Sequence, residues 1–449
     1  MSIPVNIRKG FSYDEALLMG KFCQQVYTIF QYDDGCVEDT ELKQIYNSIH
    51  RDRGWKFIHS IRNDETNVRG IILKRNNCQQ YTIVFRGSIL TDKGNVELTD
   101  ILVSDLDWDF VNYGSMTISG IKVAKGFFEA YESVSDEIKI FFKTLLGKLK
   151  SIDFLEIDKM TPARKFACIT AMADAGGIRL GADFQREATN LIHKIVEDKE
   201  LGNDGELEDA LHYKEKKLLE LEPIDTPVEI YVTGHSLGGG LANLCGLALE
   251  RCFINLPDTE VVTKVYTFGG VKVGNQAFAN YYNQELGEGM SYRVENLFDV
   301  VPGIPFPPPF PVNIFTNNGI RIGNLYLGNY ASVGEVHTVI GLGAQNFSVD
   351  FGGALSFMGG IPFPHGPDSY VTLLEEDKQR WQKLFAPIRN ILSPFLQELL
   401  QDETQVLKKD LKELKTRLQA LHNSRNHKAE INHNQPPKAS VSTNNSSAN

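Results

Sequence analysis

Gly234-His235-Ser236-Leu237-Gly238 sets one serine between two glycines, one residue beyond the apolar run Val228-Glu229-Ile230-Tyr231-Val232. A nucleophile elbow needs this order. The strand ends in so sharp a turn that the serine oxygen stands exposed above the sheet, and residues without Cβ let strand and helix pass closely. A serine hydroxyl alone is a poor nucleophile, so the chemistry also requires a base for its proton and a carboxylate to orient that base. In a strand-elbow-helix fold they follow in the chain order serine, acid, histidine. Asp299 is the candidate acid: it follows the strand-like Tyr292-Arg293-Val294-Glu295-Asn296-Leu297-Phe298 and precedes Val300-Val301-Pro302, where proline stops ladder pairing. Its carboxylate then emerges at the carboxyl edge of a strand, where open α/β sheets build their sites. A turn-capping aspartate is the competing reading.

Two histidines lie downstream of Ser236 and ahead of the C-terminal helical pattern. His365 sits in Phe363-Pro364-His365-Gly366-Pro367-Asp368, whose prolines and glycine exclude regular structure, and loops of this kind carry catalytic bases. His337 lies in the alternating Gly334-Glu335-Val336-His337-Thr338-Val339-Ile340, which reads as a strand with a half-buried structural histidine. His365 is therefore the candidate base. His235 points away from its serine neighbour in such a turn and reads as a structural hydrogen-bonding group.

Positioning these side chains takes an α/β architecture. After the elbow, Gly239 to Leu249 repeats apolar residues at helical spacing; residues 11–27 read as an amphipathic helix and residues 54–87 as successive strands. The interval 145–227 holds three helix-like stretches, 162–175, 183–199 and 206–222, separated by glycine-containing turns.

These pieces together resemble the class 3 lipases, the fungal-type triacylglycerol lipases and their bacterial and plant relatives. Carrying the resemblance are Tyr231-Val232-Thr233-Gly234-His235-Ser236-Leu237-Gly238-Gly239, Val265-Tyr266-Thr267-Phe268-Gly269 with Val273-Gly274-Asn275 and Phe278, the stretch from Tyr292 through Asp299-Val300-Val301-Pro302, and His365 with Tyr370. The resemblance implies an α/β-hydrolase fold with a central, mostly parallel sheet; relative to shorter members of the family, residues 145–227 read as a helical insertion before the nucleophile strand, and the leucine spacing beyond 387 reads as a C-terminal long helix. The resemblance also implies a triad of Ser236, His365 and Asp299. Tyr81-Thr82-Ile83-Val84-Phe85-Arg86-Gly87-Ser88 looks like the family's strand leading to the oxyanion residue, which puts Ser88 in that role beside the backbone N–H of Leu237. The chain departs from the family at Val123-Ala124, where a histidine usually precedes Lys-Gly-Phe, and at Val271-Lys272, where Pro-Arg is usual. Both departures bear on substrate preference more than on the chemistry. The insertion is either a cap over the site or a packing bundle.

By position, residues 89–102 correspond to the family's lid, but Asp92, Lys93, Asn95, Glu97 and Asp100 make them polar, against an opening onto lipid. Apolar residues concentrate instead in 351–363 and 302–311, which form either an acyl-binding wall or membrane-touching rim, or loops that cover the core. Leu396, Leu400, Leu407, Leu411, Leu414, Leu418 and Leu421 recur at three- and four-residue steps within 387–422, the pattern of a coiled coil or of a helix docked along its stripe. Through 394–421 the chain would self-associate, bind a partner or fold back on itself. Residues 423–449 are rich in Asn, Ser, Lys and His and read as a disordered tail.

At 449 residues the chain exceeds one simple core, so residues 1–386 are expected as a hydrolase domain with a large insertion and appendages. A net charge of −11 argues against nucleic acid as a partner, because phosphate binding needs an excess of Lys and Arg. The six cysteines show no metal-ligand spacing and read as free thiols; the chemistry needs no metal or cofactor. The first ten residues hold no continuous apolar run, which points to a cytoplasmic protein or one exported without a conventional signal peptide. The resulting expectation is a serine ester hydrolase acting on a lipid or other acyl ester, with peripheral membrane contact as an open possibility. An acyltransferase using the same acyl-enzyme, or a non-catalytic scaffold binding partners through its C-terminal helix, are the alternatives.

Overall fold

A computed structural model describes residues 9–30, 42, 46, 54–87, 108–113, 120–197, 214–224, 227–253, 260–299, 301–303, 305, 313–316, 319–322, 330–341 and 365–383. The chain divides into two compact units, Met1–Asp377 and Lys378–Asn449. Of the second, only residues 378–383 are described, as helix.

The sequence alternates strands with helices, and such a pattern buries itself best as a sheet covered on both faces. The main sheet has seven strands in chain order: β1 (Trp55–Asn63), β2 (Val68–Arg75), β3 (Gln80–Phe85), β4 (Val228–His235), β5 (Val261–Phe268), β6 (Ser291–Asn296) and β7 (Glu335–Val339). The β1-β2 and β2-β3 pairings are antiparallel, and every pairing from β3 through β7 is parallel. The fold is thus the mostly parallel α/β sheet expected of an α/β-hydrolase. A four-stranded sheet of short segments joins 330–331, 274–275, 122–124 and 110–112.

Period-two alternation sends neighbouring side chains to opposite faces. Ile230 and Val232 of β4 and Ile83 and Phe85 of β3 enter one core with helices α2 (Lys125–Leu146), α6 (Leu237–Phe253) and α7 (Gln276–Leu286). Tyr231, Val84, Tyr266 and Phe268 enter the other, against α1 (Tyr13–Ile29) and α8, which begins at residue 367. Burying each large aliphatic side chain contributes about 1.5–3 kcal/mol. On the α1 face a buried ion pair fixes the helix to the sheet: Glu15 Oε2 lies 2.7 Å from Lys264 Nζ and accepts from Tyr266 Oη, and Glu15 Oε1 accepts from Tyr231 Oη.

Helices α3 (Ser151–Asp158), α4 (Pro162–Leu180) and α5 (Ala182–Glu197) lie within the 145–227 interval. The sequence showed no periodic signal for α3; its start is set locally, the Lys150 amide donating to the Asp153 carboxylate at 2.8 Å. Around Cys168, Met172, Phe184 and Leu218 these helices build a small core of their own with Ile140 of α2. They are pinned to β1 and α2 through His59, whose Nδ1 faces Asp174 Oδ2 at 2.9 Å and whose Nε2 faces Glu137 Oε1 at 2.8 Å. Gln185 adds a bond from α5 to Asp174 Oδ1 at 2.7 Å. Burial alone would depress His59, but these carboxylates win and push it up to about 10, so the ring is an imidazolium with both nitrogens donating.

Because the folded value lies above the ordinary one of about 6.5, this stabilisation is full below pH ~6.5 and fades as pH rises through ~10. His59→Leu removes the imidazolium from between two buried carboxylates, which costs about 3–5 kcal/mol and lowers the melting midpoint by about 10 °C at pH 6. The deficit should narrow toward pH 10. A midpoint at pH 6 within about 2 °C of the parent would refute the ionic latch.

Among the described residues no helix is long and apolar enough to cross a membrane. Cys23, Cys168 and Cys245 are buried free thiols, and Cys78 and Cys252 are free and half-buried. The 387–422 pattern and the 423–449 tail lie outside the described residues, as do 89–102, 351–363 and most of 302–311.

Candidate active site

Strand β4 delivers Ser236 at its carboxyl end with φ +58°, a left-handed conformation that costs an L-residue about 1–2 kcal/mol. The flanking glycines are forced by close approach. A Cβ at Gly234 would lie 2.1 Å from the Gly238 carbonyl oxygen, and one at Gly238 would lie 2.5 Å from that of Phe85. β3, β4 and α6 can therefore converge only if these positions carry no side chain. The turn is held by the Ser236 N–H donating to the Phe268 carbonyl at 3.0 Å and the Gly239 N–H donating to that of Ser236 at 3.0 Å.

Asp299 and His365 meet Ser236 from two other segments. His365 Nε2 lies 2.9 Å from Ser236 Oγ, and His365 Nδ1 lies 2.7 Å from Asp299 Oδ2. All three residues are buried. Since Asp299 accepts, Nδ1 carries the ring proton and Nε2 is left to accept from the serine hydroxyl. The structure thus joins Ser236 to His365 and not to His337, which stacks on Phe11 with ring centroids 3.9 Å apart and faces Asp377.

The carboxylate has further partners. Tyr370 Oη donates to Asp299 Oδ2 at 2.5 Å, and the Val301 N–H donates to Oδ1 at 2.9 Å. Burial, with the adjacent carboxylate, raises Tyr370 far above the usual phenol range, so it stays a neutral donor. The sequence had marked Tyr370 only as a family-like position without a role; its signal is a tyrosine on the first turn of a helix that starts just after His365.

Leu237 is the first residue of α6, where backbone N–H groups have no intrahelical acceptor and the dipole favours negative charge. Its amide therefore sits beside Ser236 at an anion-favouring helix end. Ser88 lies outside the described residues, which stop at Gly87 on that side. Just before it, the buried Arg86 guanidinium donates to the carbonyls of Gly87 and Phe30 and to Asn67 Oδ1, fixing the end of β3. His235 turns away from the serine: its Nδ1 is 3.0 Å from Tyr27 Oη, and its Nε2 meets the main-chain oxygen of His365.

Residues 184–308 match the family model described as lipase (class 3). A Caenorhabditis elegans lipase is 43% identical over 77 residues, 17% of this chain and 20% of that protein. The chloroplastic phospholipase A1-Igamma2 of Arabidopsis thaliana is 41% identical over 83 residues, 18% of this chain and 15% of that protein. The matched stretch thus spans one fifth or less of the length of these curated relatives. A triacylglycerol lipase crystal structure from Penicillium expansum aligns with TM-score 0.38 at 14% identity, covering 74% of this chain and 82% of that one. Ser236 and Asp299 lie inside the segment that is similar to the class 3 lipases, and His365 meets both from downstream of it.

Proposed function

We propose that this chain is a serine ester hydrolase that cleaves carboxylic esters of lipids, acylglycerols or phospholipids, through an acyl-enzyme. One observation carries the reading: a strained serine at a strand end within 2.9 Å of an imidazole that is itself 2.7 Å from a buried carboxylate. Ser236 Oγ attacks the ester carbonyl while His365 Nε2 takes its proton. His365 then returns that proton to the leaving alcohol, and a water deacylates the serine by the reverse sequence. Asp299 keeps the proton on Nδ1 and stabilises the imidazolium that forms. The oxyanion is received by the Leu237 N–H and, by family position, Ser88; each such donor accounts for roughly 3–4 kcal/mol of barrier lowering.

A fluorophosphonate probe tests this directly, because it reacts with activated serines and ignores ordinary ones. Ser236 should be the labelled residue in the digested full-length chain, with labelling blocked by prior heat denaturation. Absence of label on Ser236 in the folded protein would end the hydrolase reading. Incubation with mixed glycerides and phospholipids, followed by lipid profiling, then assigns the head group.

A further inference from the structure

The direction of every hydrogen bond behind Ser236 is fixed. The His365 carbonyl can only accept, so His235 Nε2 carries a proton and donates to it. Burial, and after it the neighbouring His365 ring, hold His235 well below the usual imidazole range, so its other nitrogen is bare and can only accept. Tyr27 Oη must therefore donate to His235 Nδ1, across 3.0 Å. On its other side the Tyr27 oxygen packs against the main chain of Gly87. The last contact is close enough to demand glycine: a Cβ at residue 87 would stand 2.3 Å from Tyr27 Oη and 2.6 Å from the His235 carbonyl oxygen. A continuous chain thus runs from the end of β3 through α1 and β4 to the main chain of His365.

We propose that Tyr27 and His235 form a positioning relay that registers the main chain of His365 against the end of β3, keeping the proton acceptor aligned with the oxyanion-binding side of the site. The inference rests on the hydrolase reading. His365 sits in a turn ahead of α8, and its imidazole can stay 2.9 Å from Ser236 only if its own backbone is held. His235 supplies that hold directly, at the carbonyl of the same residue. The relay also explains why an imidazole can be tolerated with its ring centroid 4.6 Å from that of His365. His365 becomes cationic during turnover, and a charged neighbour at that distance would oppose it; a neutral His235 with a fixed tautomer does not. Neither residue touches the reacting atoms, so both are positioning residues.

The test uses the full-length chain and three substitutions. Tyr27→Phe removes one oxygen, His235→Phe removes both ring contacts, and His235→Gln keeps an N–H that can reach the His365 carbonyl. For a short-chain nitrophenyl ester, Tyr27→Phe should lower kcat about tenfold and His235→Phe about a hundredfold, with KM changed less than about twofold. His235→Gln should recover kcat to within about fivefold of the parent. Proton NMR supplies a readout independent of turnover: the low-field signal of the His365 Nδ1–H should broaden in both Phe variants and persist in His235→Gln. A parent chain that hydrolyses no ester defeats the hydrolase reading, while the NMR comparison still decides the relay. Folded Tyr27→Phe and His235→Phe chains with the parent's low-field signal, or a His235→Gln chain as impaired as His235→Phe, overturn it.

Discussion

Ser236→Ala is expected to lower kcat for a short-chain nitrophenyl ester by at least about 10⁴-fold while leaving KM and the melting midpoint close to the parent's. The magnitude follows from the chemistry. Without Oγ there is no acyl-enzyme, and the residual rate comes only from water attacking an ester held by the remaining oxyanion donors. The fold should tolerate the change because the turn is fixed by main-chain bonds, Ser236 N–H to the Phe268 carbonyl and Gly239 N–H to that of Ser236, and by the glycines on either side. The hydroxyl contributes one hydrogen bond, to His365, worth about 1 kcal/mol to stability. Retention of more than about one part in a hundred of the parent's kcat, in protein shown free of contaminating esterase, would remove Ser236 from the nucleophile role.

Much of this site could be read from the chain because its members leave local traces. Ser236 announces itself through two glycines required by the approach of β3 and α6, a constraint confined to five consecutive residues. Asp299 follows a strand and precedes a proline, and His365 sits between prolines, so both are marked by short-range turn chemistry. Strand β4 was legible for a similar reason: buried along its whole length, it reads as an apolar run ahead of the elbow. Tyr27 had no such trace. It stands on an ordinary amphipathic helix 208 residues from His235 in sequence, and only the packing of α1 on the sheet brings the two together. The His59 latch was equally silent, since its partners come from α2 and α4 at separations of 78 and 115 residues. Buried polar networks that join distant elements are set by tertiary geometry, and neither periodicity nor motif spacing encodes them. Helix α3 escaped for another reason: eight residues are too few for a helical period to stand out, and its start depends on one carboxylate reaching back to the Lys150 amide.

Asp299→Asn is the second large effect, and it separates orientation from mere bulk. The carboxylate accepts from three donors at once: the Nδ1–H of His365 and the hydroxyl of Tyr370 at Oδ2, and the Val301 N–H at Oδ1. An amide cannot accept at both ends. With its oxygen toward His365 and Tyr370, its NH₂ opposes the Val301 N–H, leaving a buried donor unpaired at a cost of about 1–3 kcal/mol. With its NH₂ toward His365, the ring must shift its proton to Nε2, which then faces Ser236 Oγ as a donor and cannot take the serine proton. Either arrangement also loses the negative charge that stabilises the imidazolium in the transition state. The expected result is a fall in kcat of about 10³–10⁴-fold with KM little changed, and a parallel fall in the rate of fluorophosphonate labelling at Ser236. Tyr370→Phe should be far milder, about tenfold at most, because the carboxylate keeps its charge and two of its three donors. An Asp299→Asn chain that labels and turns over within about tenfold of the parent would show that the orientation of His365 is set elsewhere, with the carboxylate only a packing partner.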